Sequence, residues 1–191
     1  MAVLPLVIAP DERLSQRSEP VKEVNDEIKK LAEDMLETMY ANNGIGLAAV
    51  QVGVMKRVIV VDVEWGSSRY EGDDKETKPG KPIVLINPEI VGESDDISTY
   101  NEGCLSFPDQ YSEVTRPEVV TIRYLDKDGK EQTKKVDGLL ATCIQHEIDH
   151  INGVVFVDHI SKLKRDMILR KLKKAKKLGS VPINEEQPTN V

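Results

Sequence analysis

The chain has 191 residues, 39% hydrophobic and 31% charged, which fits one soluble globular domain with a sizeable core. A net charge of -7 argues against a dedicated nucleic-acid binder, and no apolar run reaches the length of a membrane helix. Met1–Pro10 lacks the basic leader and cleavage site of a signal peptide, so Cys104 and Cys143 are expected as reduced thiols in a cytoplasm.

Residues 1–24, punctuated by Pro5, Pro10 and Pro20, read as an arm over the surface. Asn25 is placed to cap a helix, with Asp26 and Glu27 in the favourable first turn. Ile28, Leu31, Ala32, Met35, Met39 and Tyr40 recur at helical spacing, and Asn42-Asn43-Gly44 is a stop.

The next stretch, Gly44–Gly53, opens with the letters of a dinucleotide fingerprint, G-x-G-x-x-A, with Asp62 near the acidic position. That fingerprint needs a strand before the glycines and a helix after them. Here a helix precedes and a β-branched strand, 57–63, follows, so the fingerprint is rejected. The small residues suggest a backbone that something approaches closely. Gln51 either points into that space or is solvated.

Residues 64–82 read as an exposed, mobile loop, with Trp65 and Tyr70 as anchors. Short strands are expected at 83–86, 89–92 and 97–100, then the segment Glu102-Gly103-Cys104-Leu105-Ser106. Residues 118–125 and 131–136 alternate around the turn Lys127-Asp128-Gly129, giving an antiparallel hairpin.

Leu139–Gly153 reads as a helix. Asp137 stands as N-cap, Leu140, Ile144 and Ile151 form an apolar stripe, and Asn152-Gly153 stops it. Within it, Gln145-His146-Glu147-Ile148-Asp149-His150 holds two of the three histidines, four residues apart. Positions i and i+4 share a helix face, so both imidazoles reach one metal ion. Glu147 is placed to take a proton from water activated there. A third ligand is required. Phe156 stands where an extended motif would have histidine, and Glu185 lies in a tail read as disordered. Cys143 lies seven residues from His150. That is about 10.5 Å along the axis, too far for both to bind one ion at about 2 Å. Asp158, His159 and the upstream Cys104 stay open.

Residues 162–178 read as a last helix with Leu163, Met167, Ile168, Leu172 and Ala175 on one side and nine lysines and arginines on the rest. That basic side is either a solvated face or a docking face for an acidic surface such as RNA. The domain is read as 1–178, with 179–191 a disordered tail.

Three stretches in order, Gly44–Gln51, Glu102–Ser106 and Gln145–Gly153, resemble the peptide deformylase pattern G-x-G-x-A-A-x-Q, E-G-C-L-S and Q-H-E-x-D-H-x-x-G. The resemblance implies an α+β fold with antiparallel sheets around the metal helix, plus a C-terminal helix. It implies one Fe2+ ion, replaceable by Zn2+, Ni2+ or Co2+, held by Cys104, His146 and His150. Glu147 would be the acid/base, and Gln51 with the Leu105 amide would hold the oxyanion. The reaction implied is removal of formate from N-formylmethionyl nascent peptides, in the cytoplasm or an organelle with bacterial-type translation. It further implies that helix 162–178 docks at the ribosome.

Ile45, Leu139 and Cys143 are candidates for the methionine slot, with Gly44 and Gly46 giving room for a small formyl group and an added peptide strand. Around the site, a Glu102–Arg116 pair and an Asp149 that orients a ligand histidine are readings that stand level with ordinary surface pairing. Two positions depart from the family pattern. Val50 stands where many members have proline, and Tyr111 stands where some have an arginine near the substrate mouth. The competing readings are a generic zinc peptidase and a non-catalytic ribosome-binding module with a structural metal.

Overall fold

The computed structural model describes residues 1–67 and 80–179. The expectations for Tyr70, for most of the 64–82 loop and for the tail lie outside the described residues.

Helix α1, Asp26–Ala41, starts where its cap does: the Asn25 side chain accepts from Ile28 N–H at 3.1 Å. It ends at Asn43, whose φ of 59° is left-handed. Strand β1 (Gly46–Ala48) leads into a 3-10 turn, Ala49–Val52, and then β2 (Val58–Val61). A short helix α2 (Glu64–Ser67) follows, then β3 (Ile83–Glu93), β4 (Ile97–Cys104), β5 (Phe107–Pro117), β6 (Val119–Leu125) and β7 (Glu131–Asp137). Helix α3 (Gly138–Ile151), a 3-10 turn at Phe156–His159 and helix α4 (Lys162–Lys177) close the chain order. One antiparallel sheet runs β1-β2-β3-β6-β7, while β4 and β5 form a separate two-stranded hairpin.

The four-residue run of β2 explains the layering. Val58, Ile59, Val60 and Val61 are all fully buried. A strand with no polar alternation is covered on both faces. Ile59 and Val61 pack with Ala141, Ile144, Ile148 and Ile151 of α3. Val58 and Val60 pack with Met35 and Met39 of α1. Each methionine, fully buried, contributes roughly 1.5–3 kcal/mol by leaving water. Helix α3 thus lies between the five-stranded sheet and the β4–β5 hairpin.

Several expectations change. The N-terminal arm is no mere surface wrap: Val7, Ile8, Ala9 and Leu14 are buried, and Val7, Ala9 and Leu14 pack with Phe107 and Phe156. Residues 83–92, read as two strands, are one strand with register shifts beyond Ile86, where Asn87 takes φ 50° and its amide bonds both backbone groups of Val21. Strands β1 and β5 had no sequence signal. Asp137 stands at the N-cap of α3 but makes no side-chain cap bond. On α4 only Ile168 and Leu172 are fully inside the core, while Leu163 and Met167 are exposed. Trp65 does anchor, its ring 4.7 Å from that of Tyr40. Beneath it the Asp62 carboxylate accepts from Tyr40 O–H, Trp65 N–H and Lys81 N–H, so the acidic residue of the false fingerprint is a clamp.

Candidate active site

Helix α3 and the β4–β5 turn meet at three side chains. The Cys104 sulfur and one ring nitrogen each of His146 and His150 lie within 4.8 Å of one another. Cys104 Sγ is 3.3 Å from His150 Nε2. A tetrahedral ion with bonds of about 2.0–2.3 Å holds its ligand atoms roughly 3.3–3.7 Å apart, so this edge is already at ion-binding length. His159, left open by spacing, instead bonds Asp149 at 2.8 Å. Asp158 caps the turn before it by accepting from Val155 N–H. Cys104 and Cys143 are both free thiols.

The ring positions follow from partners on the hairpin. His146 Nδ1–H donates to Glu102 Oε1 at 2.8 Å, which turns Nε2 toward the sulfur. Arg116 grips both oxygens of Glu102, at 2.7 and 2.9 Å, and reaches Asp149 with its other arm at 2.8 Å. Glu102 does pair with Arg116, and the pair is buried rather than on the surface. The orienting role considered for Asp149 falls to Glu102 instead, since Asp149 bonds Arg116 and His159. Phe156 stacks on His146 with centroids 6.2 Å apart, a support that the sequence signalled only as a missing histidine.

Burial sets the electrostatics. It would raise the Glu102 carboxyl, but the bonds from His146 and Arg116 outweigh it and hold the group at about 2. Burial pushes His150 down, helped by His146, which keeps its imidazole neutral as a ligand must be. Burial would also lower His146, but the neighbouring Cys104 sulfur and the bond to Glu102 outweigh it and raise the group. Glu147, wholly inside, is lifted to about 7, by burial first. Its Oε2 has no hydrogen-bond partner among the described residues.

Gln51 is 1% exposed, which decides against the solvated reading. Its Oε1 accepts from Ala48 N–H at 2.8 Å, and its Nε2 donates to Ser106 Oγ at 3.1 Å and faces Cys104 Sγ at 3.4 Å. The Leu105 amide lies in the turn after Cys104 and donates to none of the described residues. Gly44, Ile45, Gly46, Leu139, Cys143 and Glu147 line one cleft. Leu139 sits at its rim, 41% exposed, and the Cys143 thiol lies inside, 3.5 Å from the Ile45 carbonyl oxygen. Tyr111 is exposed at the same cleft, its ring laid over Gly103. Val50 is buried in the turn beside Gln51.

This donor set, one thiolate-forming sulfur and two imidazoles, suits a divalent transition metal and leaves a coordination position for solvent or substrate. Residues 3–166 match the family model for polypeptide deformylase. The chain belongs to the peptide deformylase family. A peptide deformylase of Agrobacterium fabrum is 56% identical over 175 residues, covering 92% of this chain and 97% of that one. One of Rhizobium meliloti is 54% identical over 177 residues, covering 93% and 96%. The crystal structure of peptide deformylase from Ehrlichia chaffeensis in complex with actinonin superposes with a TM-score of 0.82. It is 46% identical and covers 92% of this chain and 99% of that one. The generic peptidase and the non-catalytic module are thereby set aside. The deformylase family is metal-dependent, and Cys104, His146 and His150 form a cluster that could hold a metal ion.

One glycine is fixed by this geometry. A Cβ on Gly46 would lie 2.6 Å from Glu147 Oε1 and 2.7 Å from Cys143 Sγ. Gly46→Ala is therefore expected to displace Glu147 and lower kcat by about 10²-fold, the scale of a 1 Å misplacement at a reacting centre. Circular dichroism should show a retained fold. An active Gly46→Ala would mean that Glu147 has room to spare.

Proposed function

We propose that Cys104, His146 and His150 hold one divalent ion, Fe2+ in the cell and replaceable by Zn2+, Ni2+ or Co2+, within a catalytic domain spanning 1–178. The protein is a metal-dependent hydrolase that removes the N-formyl group from the N-terminal methionine of newly made proteins and releases formate. The observation that carries the assignment of roles is a buried Glu147 carboxyl, its Oε2 without a partner among the described residues, lining the same cleft as Cys104 and His146 of the three-residue cluster.

When bound, the ion supplies Lewis acidity, making water acidic enough to attack at neutral pH and polarising the formyl oxygen. Glu147 takes the proton of the attacking water and returns it to the leaving amine nitrogen. Gln51 Nε2–H and Leu105 N–H donate to the oxygen on which negative charge develops. Ile45, Leu139 and Cys143 receive the methionine side chain, and Gly44 and Gly46 let the formyl end approach the backbone. Arg116 and Glu102 hold His146 in the tautomer that presents Nε2. Formate release from formyl-Met-Ala-Ser, with no internal cleavage, tests the reading. Internal cleavage without formate would overturn it.

The basic face of α4 supports docking at the ribosome, in the cytoplasm or an organelle with bacterial-type translation. No helix among the described residues is long and apolar enough to cross a membrane. Deleting α4 would be a poor test, because Ile168 and Leu172 pack with Val7, Phe107 and Val114. Reversing the charge of exposed Lys171, Lys174 and Lys177 to Glu leaves that packing alone. The triple variant is expected to lose salt-sensitive co-sedimentation with ribosomes while keeping its rate on a formylated tripeptide. Unchanged co-sedimentation would remove the docking proposal.

A further inference from the structure

We infer that Ser106 is a positioning residue for the reaction: its hydroxyl takes one hydrogen of the Gln51 carboxamide and thereby aims the other into the cleft. The inference rests on the reading of Gln51 as an oxyanion donor. A carboxamide NH2 carries two hydrogens in a plane and accepts nothing. The Ala48 N–H, 2.8 Å from Oε1, fixes which end of the amide is oxygen. Ser106 Oγ, fully buried, then accepts one of the two Nε2 hydrogens at 3.1 Å. The second is left on the side of Cys104 Sγ, at 3.4 Å. A charged oxygen accepts more strongly than a sulfur whose charge is shared with an ion, so this hydrogen can pass to an oxygen that is gaining charge.

The backbone holds the same arrangement. Ala9 N–H donates to the Ser106 carbonyl and Val7 N–H to the Gln51 carbonyl, each at 2.8 Å. Two loops 55 residues apart in sequence are thus pinned side by side by one buried strap. Without the hydroxyl, the amide is held only at its oxygen end, by Ala48 N–H, so its plane turns more widely about its last side-chain bond and the donor loses its aim rather than its existence.

Ser106→Ala is expected to lower kcat about 10-fold with KM little changed, a fraction of the roughly 10²–10³ that loss of an oxyanion donor costs. Metal content and melting temperature should stay near wild type, and Ser106→Thr, which keeps the hydroxyl, should recover most of the rate. The deciding measurement is the double variant. In a Gln51→Ala background Ser106→Ala should change nothing further, because the amide it aims is gone. In amide NMR spectra of the Ser106→Ala protein one of the two Gln51 side-chain protons should move upfield. Ser106→Gly reads the same loss if alanine is not tolerated. An equal effect of Ser106→Ala with and without Gln51, or none in wild type, would overturn the inference. A full-rate Gln51→Ala would instead overturn the oxyanion assignment beneath it.

Discussion

Cys104→Ala is expected to abolish formate release by removing the metal. The variant leaves two imidazoles, and a two-ligand site holds an ion far less well. Losing even an outer-shell partner costs about 10–100-fold in metal affinity, and losing a ligand that carries the site's negative charge costs more. The sulfur's own contacts are with His150 Nε2 and Gln51 Nε2, and the frame behind them does not depend on it. Glu102, Arg116 and His146 keep their bonds to one another, and Phe156 still stacks on His146. The ion-free forms of variant and wild type should therefore unfold within about 1 kcal/mol of each other in urea. Anaerobic purification, dialysis against metal-free buffer and metal analysis check the prediction together with the rate. With the proposed Fe2+ bound, the neighbouring sulfur would be exposed to oxidation, so aerobic wild type should lose iron and activity together. Full metal content and full rate in Cys104→Ala would sink the ligand assignment.

The two halves of the site differ in how far the sequence discloses them. His146, Glu147 and His150 are a local pattern, fixed by the helical period alone, and the apolar stripe of Ile144 and Ile151 buries the helix as read. Cys104 is 42 residues from His146, and spacing left Asp158 and His159 in competition with it. Only the order of three motifs, by family resemblance, singled it out. What brings it in is the β4–β5 hairpin, and β5 has no clean signal. Pro108 interrupts it near its start, Asp109 takes φ 58°, and only three of its eleven residues are buried. With β5 unread, its register was unread, and so was the path by which Arg116 ties Glu102 to Asp149. Gln51 illustrates the same limit. Its sequence neighbours allow either a solvated loop or a buried donor, and the choice is made by Ser106 and the arm at Val7–Ala9, both remote in sequence.

Glu147→Gln is expected to lower kcat by about 10²–10⁴-fold, the usual worth of a positioned proton carrier. KM and metal content should stay near wild type, because the amide matches the carboxylate in shape and Glu147 is not among the three clustered donors. The same variant has a second signature in ion-free protein, where the buried carboxyl adds its own contribution to the pH dependence of stability. Its folded pKa of about 7 lies above the ordinary value of 4.5. The folded state therefore binds the extra proton between those limits. The stability this confers is complete below the unfolded value and is lost as pH rises through about 7. Ion-free wild type should weaken over that window by a step that Glu147→Gln lacks, and urea titrations at pH 5.5 and 8 of both proteins measure the difference. Parallel pH profiles would show that burial does not hold this carboxyl's proton, and a near-normal kcat would take the proton transfer away from Glu147 altogether.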